Sequence, residues 1–467
     1  MKRLNAMLLL IALPLPLLAA SIQTLTLDHH AQTDLELTVY NNFALVRDTR
    51  QVVLPRGKLN LEFKEVAQTI EPGSVTVSSS GGGDIDVLEQ SYRYDLLNRQ
   101  SLLETYIGRK LKYSRTVLQG ETYEKVLREG ILLSTNPEIV DFGDEIEISP
   151  EGVISLPDVP DGLTLNPTLV WQLENSRTGE RTLATSYLAS GIQWHADYVL
   201  DLDQQAGKLK LTSWATVRND SGTVLENARI RLVAGNVNKA AAAQHKAVYA
   251  AADMRLASAE AAPITNQVTG AYQAFDLPNR TTLLNHEAKQ LKFVSASDVA
   301  FTEVYRLRSQ VATYQRAEPD NSAVIYEISF ANDDGNGLGM PLAAGIARTY
   351  NSVNGNIDLL GESRLQSTPV GQEVTLQLGQ AFDISVERLQ TDFVRLSDRS
   401  FEVRYEIKLS NARHQPANVL VEELMHGDWQ IEESSQAMSR QGRIASAVVN
   451  VPAEGSARLS YRVRMKM

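Results

Sequence analysis

The chain has 467 residues, of which 43% are hydrophobic and 22% charged, so it is long enough for about three domains of ordinary globular composition. It contains no cysteine, which excludes disulfides, thiol nucleophiles and thiolate metal sites. Its formal net charge is −11, and because an acidic surface repels phosphate backbones we expect no nucleic-acid partner.

Residues 1–20 have the layout of a secretory signal peptide. Lys2 and Arg3 give a positive start, residues 7–18 are apolar, and small side chains follow up to Ala20. The apolar run is shorter than the roughly 20 residues of a transmembrane helix. We therefore expect cleavage near Ala20 and a periplasmic or secreted chain, whose net charge falls from −11 to −13 with the loss of two cations. No later run reaches spanning length, so we also expect no transmembrane anchor.

Residues 21–160 are predicted to form a β-rich N-terminal domain with one short helix. Period-two alternation between turn residues predicts its first strands, at 35–39, 44–47, 51–54, 59–63 and 74–77. At 95–108 the apolar spacing becomes that of one helix face, with Asp95 placed to cap the start and Gly108 to end it. Five short strands joined by tight turns then indicate a small SH3-like barrel over 108–157.

A proline-rich linker leads into a central β domain at 168–335. Its clearest strand patterns are 168–173, 183–188, 198–202, 209–217 and 230–233. An alanine-rich insertion at 239–281 interrupts the domain, and we interpret it as a mobile insertion or a loosely held helix that continues as a polar loop to about Thr281. Further strands are predicted at 281–284, 290–294, 304–307 and 323–330.

The C-terminal domain, 336–467, shows the cleanest alternation. Phe401–Leu409 and Leu459–Met465 each place apolar residues on one face and charged or polar residues on the other. One dry face and one charged face are what a strand in a two-sheet sandwich needs, and the frequent turn signals favour an immunoglobulin-like sandwich. The fold class predicted for the whole chain is mainly β and multi-domain, with β-sandwich domains, a small SH3-like barrel, one short helix and the alanine-rich insertion.

Several segments together resemble one bacterial family. They are residues 40–47 (YNNFALVR), 94–97 (YDLL), 106–110 (YIGRK), 167–171 (PTLVW), 187–198 (YLASGIQWHADY) and 227–235 (NARIRLVAG). The chain is thus similar to exported proteins with the domain of unknown function 4139, which also occurs in mucoidy inhibitor A-type proteins. The resemblance implies a fold and export to the envelope. It implies no reaction and supplies no catalytic residue.

The segment Trp194-His195-Ala196-Asp197-Tyr198 invites a catalytic interpretation, with His195 as base and Asp197 as its orienting partner. In a strand, however, these two residues share one face while the other three share the opposite face. We favour an exposed polar row over a buried aromatic row, because no nucleophile motif accompanies the histidine.

Three groups of residues are candidate metal sites. His29 and His30 are adjacent but lack the spacing of a designed site. The oxygen-rich groups Asp141, Asp144, Glu145, Glu147 and 332–337 could hold Ca²⁺, but neither has EF-hand spacing. The second also reads as a hairpin turn. We assign no catalytic, cofactor-binding or metal residue and expect no cofactor.

Two kinds of residue would indicate that the protein acts on sugars: paired carboxylates and exposed aromatic side chains. Paired carboxylates for glycoside hydrolysis cannot be chosen from 56 acidic residues. Aromatic platforms for stacking on sugars are limited to Trp171, Trp194, Trp214 and Trp429, of which the first three lie in β-patterned segments that favour burial.

These observations predict an exported envelope protein. They favour a non-enzymatic binding or structural protein over an enzyme. Its partner would be an envelope protein or a polysaccharide. One alternative is a polysaccharide-active hydrolase or lyase that uses paired carboxylates. Another is an envelope assembly factor that acts by strand addition at a sheet edge.

Overall fold

The computed structural model describes residues 22–467 except 82–83, 95–97, 120–121, 159, 161–162, 165, 236, 238–265, 270–271, 313–321 and 354–355. The predicted signal peptide, Asp95 and the alanine-rich run at 239–262 lie outside the described residues. The described chain is mainly β, as predicted, with a single α-helix. It divides into two compact units. Unit 1 takes its described residues from the ranges Met1–Glu36, Leu45–Ala189 and Ser221–Leu225, and unit 2 from Leu37–Ala44, Ser190–Asp220 and Glu226–Met467.

The first part of the chain builds most of unit 1. Its elements are β1 (Gln23–Leu27), β2 (Gln32–Val39), β3 (Phe43–Leu54), β4 (Gly57–Lys64), β5 (Thr76–Ser80), β6 (Ile85–Arg93), α1 (Arg99–Thr105), β7 (Lys110–Gln119), β8 (Thr122–Thr135), β9 (Glu138–Asp141), β10 (Ile146–Ile148), β11 (Val153–Ser155), β12 (Thr168–Asn175) and β13 (Gly179–Ser190). β3 is one long strand where two short strands were predicted, and β6 was not predicted.

These strands form three sheets. One has the order β1-β4-β12-β6, with β1 parallel to β4, and another contains β2-β3-β13-β5. The third has the order β10-β9-β8-β7-β11, and its five strands are the ones predicted between 108 and 157. A closed SH3-like barrel remains a prediction. One face of this sheet packs with α1 around Leu103, Tyr106, Leu111 and Leu132.

Helix α1 is shorter than the predicted 95–108. Asn98 caps it, because its side chain accepts from the Ser101 N–H at 3.0 Å while the Ser101 hydroxyl accepts from the Asn98 N–H at 3.1 Å. The helix ends at Thr105, although the Tyr106 N–H still donates to the Leu102 carbonyl at 3.2 Å. Gly108, with a φ of 79°, then lets the chain turn into β7.

The remaining strands belong to unit 2. They are β14 (Ile192–Asp203), β15 (Lys208–Asn219), β16 (Leu225–Ala234), β17 (Asn266–Thr269), β18 (Tyr272–Asp276), β19 (Thr281–Leu283), β20 (Glu287–Ala300), β21 (Thr302–Gln310), β22 (Ile325–Ala331), β23 (Gly345–Val353), β24 (Asn356–Leu365), β25 (Glu373–Gln380), β26 (Ile384–Ser397), β27 (Ser400–Asn411), β28 (Ala417–Leu424), β29 (Asp428–Ser434), β30 (Ser439–Gln441), β31 (Ile444–Val451) and β32 (Gly455–Lys466). The prediction of a polar loop up to Thr281 is wrong for the residues of β17 and β18, because these two strands pair as an antiparallel hairpin.

Two sheets at the C-terminal end of unit 2 form a sandwich. The six-stranded sheet has the order β25-β22-β21-β28-β31-β30 and the four-stranded sheet the order β26-β27-β32-β29. Buried residues of both sheets share one core, among them Tyr405 and Ile407 of β27 and Val419 and Val421 of β28. The sandwich includes β21 and β22, which precede residue 336. The alternation predicted for β27 and β32 is confirmed, since each buries every second residue.

A further five-stranded sheet of unit 2 has the order β20-β15-β14-β23-β24, in which β14 is antiparallel to β15 and parallel to β23. One of its faces is buried and the other is open to solvent. The segment 332–337 contains a turn, as predicted, and joins β22 of the sandwich to β23 of this sheet. Because these two strands belong to different sheets, the predicted hairpin is wrong.

Candidate functional site

Strand β14 separates a buried aromatic row from an open polar row, as its alternation predicted. Trp194 and Tyr198 are buried, and their polar atoms are satisfied inside the protein: the Trp194 Nε1–H donates to the Val233 carbonyl at 3.0 Å and the Tyr198 hydroxyl donates to the Ala343 carbonyl at 2.7 Å. On the opposite face, the side chain of His195 is 60% exposed. The buried row therefore anchors β14, and on the open side His195 is exposed whereas the Asp197 side chain is only 14% exposed.

Asp197 is the centre of a polar network on the open face. Its Oδ2 accepts from the Thr216 hydroxyl at 2.6 Å and lies 3.3 Å from Nε2 of His195, while its Oδ1 lies 3.6 Å from an Arg348 guanidinium nitrogen. Arg348 also pairs with Glu362 through its Nε at 2.9 Å. The network thus links four neighbouring strands, from β15 through β14 and β23 to β24.

Trp214 lies beside this network on β15. It stands directly opposite Asp197 on β14 and directly opposite Lys292 on β20. Its chain neighbours Ser213 and Ala215 are fully buried on the inner face, so the indole of Trp214 lies on the open face, where it is half-buried. Among the described residues its indole N–H has no hydrogen-bond partner. The burial predicted for Trp171 and Trp194 is confirmed, whereas Trp214 is only partly covered.

A second half-buried aromatic residue, Tyr350, lies on the same face. Tyr350 is opposite Asp201 on β14, four residues along the strand from Asp197, which is opposite Trp214. From the strand spacing and the rise per residue, the two aromatic residues are about 16 Å apart along the diagonal of the sheet. We call this surface the Trp214 face. Its side chains are His195, Asp197, Trp214, Thr216, Lys292, Arg348, Tyr350 and Glu362.

The chemistry that this face offers is recognition. In the described part of the chain, no hydroxyl or amine side chain hydrogen-bonds the His195 ring, so His195 and Asp197 lack the nucleophile of a catalytic triad. The face does offer two aromatic surfaces, an unused indole N–H and ordered polar side chains between them. Such a set of apolar surfaces with fixed polar groups is suited to binding a polar ligand with flat apolar faces.

The acidic group weighed as a calcium site is engaged by an arginine. Arg128 pairs with Asp144 Oδ1 at 3.0 Å, with Glu145 Oε1 at 3.1 Å and with Glu147, and its guanidinium lies 3.9 Å from the centre of the Phe142 ring. The pKa of Asp144 lies below its usual value, first because its carboxylate accepts a hydrogen bond from its own backbone N–H and also because the positive charge of Arg128 is nearby. Within the described ranges, no group of three or more histidine or acidic residues is arranged to hold a metal ion.

The other two candidates have local structural partners. Nδ1 of His29 lies 2.7 Å from Glu65 Oε2, and the rings of His29 and His30 are in contact at 4.0 Å between their centres. In the 332–337 segment, Asp333 caps a short 3₁₀ turn. The Asn336 side chain donates to the Ala331 carbonyl at 3.0 Å and accepts from the Ala300 N–H at 3.1 Å. These contacts describe a folded turn and a paired histidine.

Fold and face together define a multi-sheet β-sandwich protein with one open aromatic and polar sheet surface. The chain belongs to the family with the domain of unknown function DUF4139, whose model matches residues 183–466 and so includes every strand of the Trp214 face. Membership of this family, predicted from the sequence, is confirmed, and of the segments that suggested it 187–198 and 227–235 lie within the match. No curated protein matches the chain. In the described part, no helix is long and apolar enough to cross a membrane.

Proposed function

We propose that this is a non-enzymatic binding protein of the bacterial envelope that holds a neutral polysaccharide on the Trp214 face. The observation that carries the proposal is the position of Trp214, partly exposed on an open polar sheet with its N–H unused. Sugar rings have apolar faces and hydroxyl edges. An indole beside hydrogen-bonding side chains complements both parts of a sugar.

The charges of the face favour a neutral ligand. Arg348 is paired with both Asp197 and Glu362, so the charged groups beside Trp214 largely compensate one another. A neutral glycan gains hydrogen bonds from such paired groups without having to separate them. The open surface also suits a long chain, because the about 16 Å between Trp214 and Tyr350 would engage several successive sugar rings.

The predicted address supports the same ligand class. A signal peptide at residues 1–20 would deliver the mature chain to the compartment in which envelope polysaccharides are made and displayed. The acidic net charge and the lack of cysteine fit an envelope protein that acts by surface recognition.

Affinity electrophoresis tests the proposal. The protein is run in native gels that contain a neutral glucan, a neutral galactomannan or an acidic uronate polymer. We expect a neutral polymer to retard the wild-type chain and Trp214→Ala to abolish the retardation. The matched control is Tyr94→Ala, which removes an exposed aromatic side chain from unit 1. The proposal fails if no neutral polymer retards the wild-type chain, or if Trp214→Ala binds as well as the wild-type chain.

The same mixtures test the hydrolase alternative. If incubation with a retarding polymer releases new reducing ends, the protein cleaves glycosidic bonds and the non-enzymatic role is wrong. If the protein binds the polymer and no new reducing ends appear, the result supports the non-enzymatic binding role.

A further inference from the structure

The outer face of the five-stranded sheet β10-β9-β8-β7-β11 in unit 1 is unusually apolar. Its inner face packs on α1, but the outer face carries large apolar side chains that are 45–76% exposed. We call this surface the module face. Its apolar members are Leu118, Tyr123, Leu127, Leu133, Ile146, Ile148 and Val153.

The strand register places six of these residues on one side, and the seventh, Leu133, lies at a β-bulge of β8. Leu118 pairs with Tyr123 and Ser114 with Leu127, so these four side chains point the same way, and Val153 joins them because it pairs with Ser114. Across β9, Ile146 and Ile148 have the same orientation. The alternate residues of β8, such as Gly130 and Leu132, are buried on the inner side.

The size of the surface is that of an interface. Together the seven side chains expose on the order of 900 Å², against about 800 Å² per partner in a standard protein–protein interface. Continuous exposed apolar patches on monomeric proteins usually measure about 300–600 Å², and larger ones mark interaction sites. On the module face, charged residues such as Lys125 and Glu129 lie between the apolar side chains, so an interface here would be mixed apolar and charged.

The charges along β8 indicate which partner fits. Lys125, Leu127 and Glu129 follow one another on the module face at alternate positions. If a second copy packs face to face with its β8 antiparallel, about a two-fold axis at Leu127, each Lys125 meets Glu129 of the other copy. A parallel arrangement would instead bring Lys125 against Lys125 and Glu129 against Glu129.

Both charges are available for this contact. Lys125 has no carboxylate within ion-pair distance among the described residues. Glu129 is held by Lys112 of its own sheet at 3.4 Å, with both side chains well exposed, so one of its oxygens is left for a second cation. We propose that the module face is the interface of a symmetric homodimer in which antiparallel β8 strands stack with Leu127 at the axis.

Analytical ultracentrifugation of the predicted mature chain, residues 21–467, across the micromolar range tests the interface. We expect a reversible dimer for the wild-type chain and a monomer for Leu127→Asp. The matched control is Leu396→Asp, which changes another exposed strand leucine in unit 2 and should leave the dimer intact. A wild-type chain that stays monomeric throughout, or a Leu127→Asp chain that still dimerises, overturns the proposal.

Charge reversal tests the antiparallel register. Lys125→Glu and Glu129→Lys each place like charges across the axis, so each variant alone should raise the dimer Kd at least about tenfold. An equimolar mixture of the two variants should form a heterodimer, because each Lys then meets a Glu again, and the double variant should regain the homodimer. A mixture that associates no better than its separate components overturns the antiparallel arrangement, and circular dichroism confirms that each variant is folded.

Discussion

The Thr216 hydroxyl donates a 2.6 Å hydrogen bond to Asp197 Oδ2 and so joins β15 to β14 beside Trp214. Thr216 is 8% exposed, so water replaces this partner poorly. We expect Thr216→Val, which keeps the shape but removes the donor, to lower the free energy of unfolding by about 1 kcal/mol. Urea denaturation measures the change.

The control for this prediction is Thr212→Val, four residues earlier on the same strand and face, where no side-chain hydrogen bond is present in the described part. It should alter the free energy of unfolding by less than about 0.5 kcal/mol. Equal effects of the two valine variants would show that the Asp197 contact contributes nothing particular to stability.

Only part of this face follows from the sequence. The alternation in 194–198 predicts a buried Trp194 and an exposed His195, because that pattern is local. Arg348 reaches Asp197 only through the parallel pairing of β14 with β23, which joins segments about 150 residues apart, and Glu362 joins the network through Arg348. No local signal predicts β23 either, because two of its inward positions hold the small Ala347 and the polar Thr349.

The sequence does not predict that Trp214 lies on the open face, for a related reason. Its inward neighbours Ser213 and Ala215 are small, so the strand shows little hydrophobic alternation at this point. The sequence does not predict the module face either, but here the strands have too many apolar residues rather than too few. Its strands carry apolar residues on both sides, and periodicity does not tell which side is covered.

Arg388 and Glu423 form an ion pair inside the C-terminal sandwich, with both side chains at most 3% exposed. Two hydrogen bonds of 2.9 and 2.8 Å join them, and the guanidinium lies 3.8 Å from the centre of the Tyr405 ring. Burial disfavours the charged form of Arg388, but Glu423 outweighs it and the pKa of Arg388 is raised. Glu423→Gln leaves a buried cation without its anion, so we expect a loss of about 3–5 kcal/mol in the free energy of unfolding.

The paired replacement separates charge from packing. Arg388→Met with Glu423→Leu removes both charges and should be near neutral or stabilising by about 1–4 kcal/mol. Asp398→Asn, in the exposed Arg395 pair, is the surface control and should change the free energy of unfolding by less than about 1 kcal/mol. If the double variant is as unstable as Glu423→Gln, the pair itself is required for the sandwich.

Partly and fully buried tyrosines predict a loss of stability at high pH. Burial, with Tyr94 nearby, raises the pKa of Tyr92 to about 12, and burial also raises the pKa of Tyr187 and of Tyr461. The unfolded chain releases these protons from about pH 10. The stabilisation is therefore fully present below about pH 10 and is lost as the pH rises toward the folded pKa values.

Urea denaturation on either side of about pH 10 measures this loss, and tyrosinate absorbance follows the ionisation directly. Tyr92→Phe should flatten the pH dependence, because phenylalanine has no proton to release. The control is Tyr123→Phe, measured at a concentration at which the chain is monomeric, because Tyr123 is exposed within a single chain but belongs to the module face. A native chain whose tyrosines all ionise together near pH ~10, without unfolding, would contradict the prediction.

Gly345 sets the distance between β23 and β14, and with it the position of Arg348 beside Asp197. It pairs with Ala196 in the parallel register, and a Cβ at this position would lie 2.1 Å from the Ala196 carbonyl oxygen. Backbone cannot give way as a flexible side chain can, so Gly345→Ala must push the two strands apart. We expect a loss of about 1–3 kcal/mol in the free energy of unfolding, as for an overpacked core.

The same displacement should weaken polysaccharide binding, since it moves Arg348 away from Asp197 without altering any side chain of the Trp214 face. Gly73→Ala is the control, because a Cβ there meets nothing within 4 Å, and its effect should stay within about 0.5 kcal/mol. Urea denaturation and affinity electrophoresis of both variants give the two readouts. A Gly345→Ala chain that matches Gly73→Ala in both would mean that the close approach of β14 and β23 holds neither the fold nor the face.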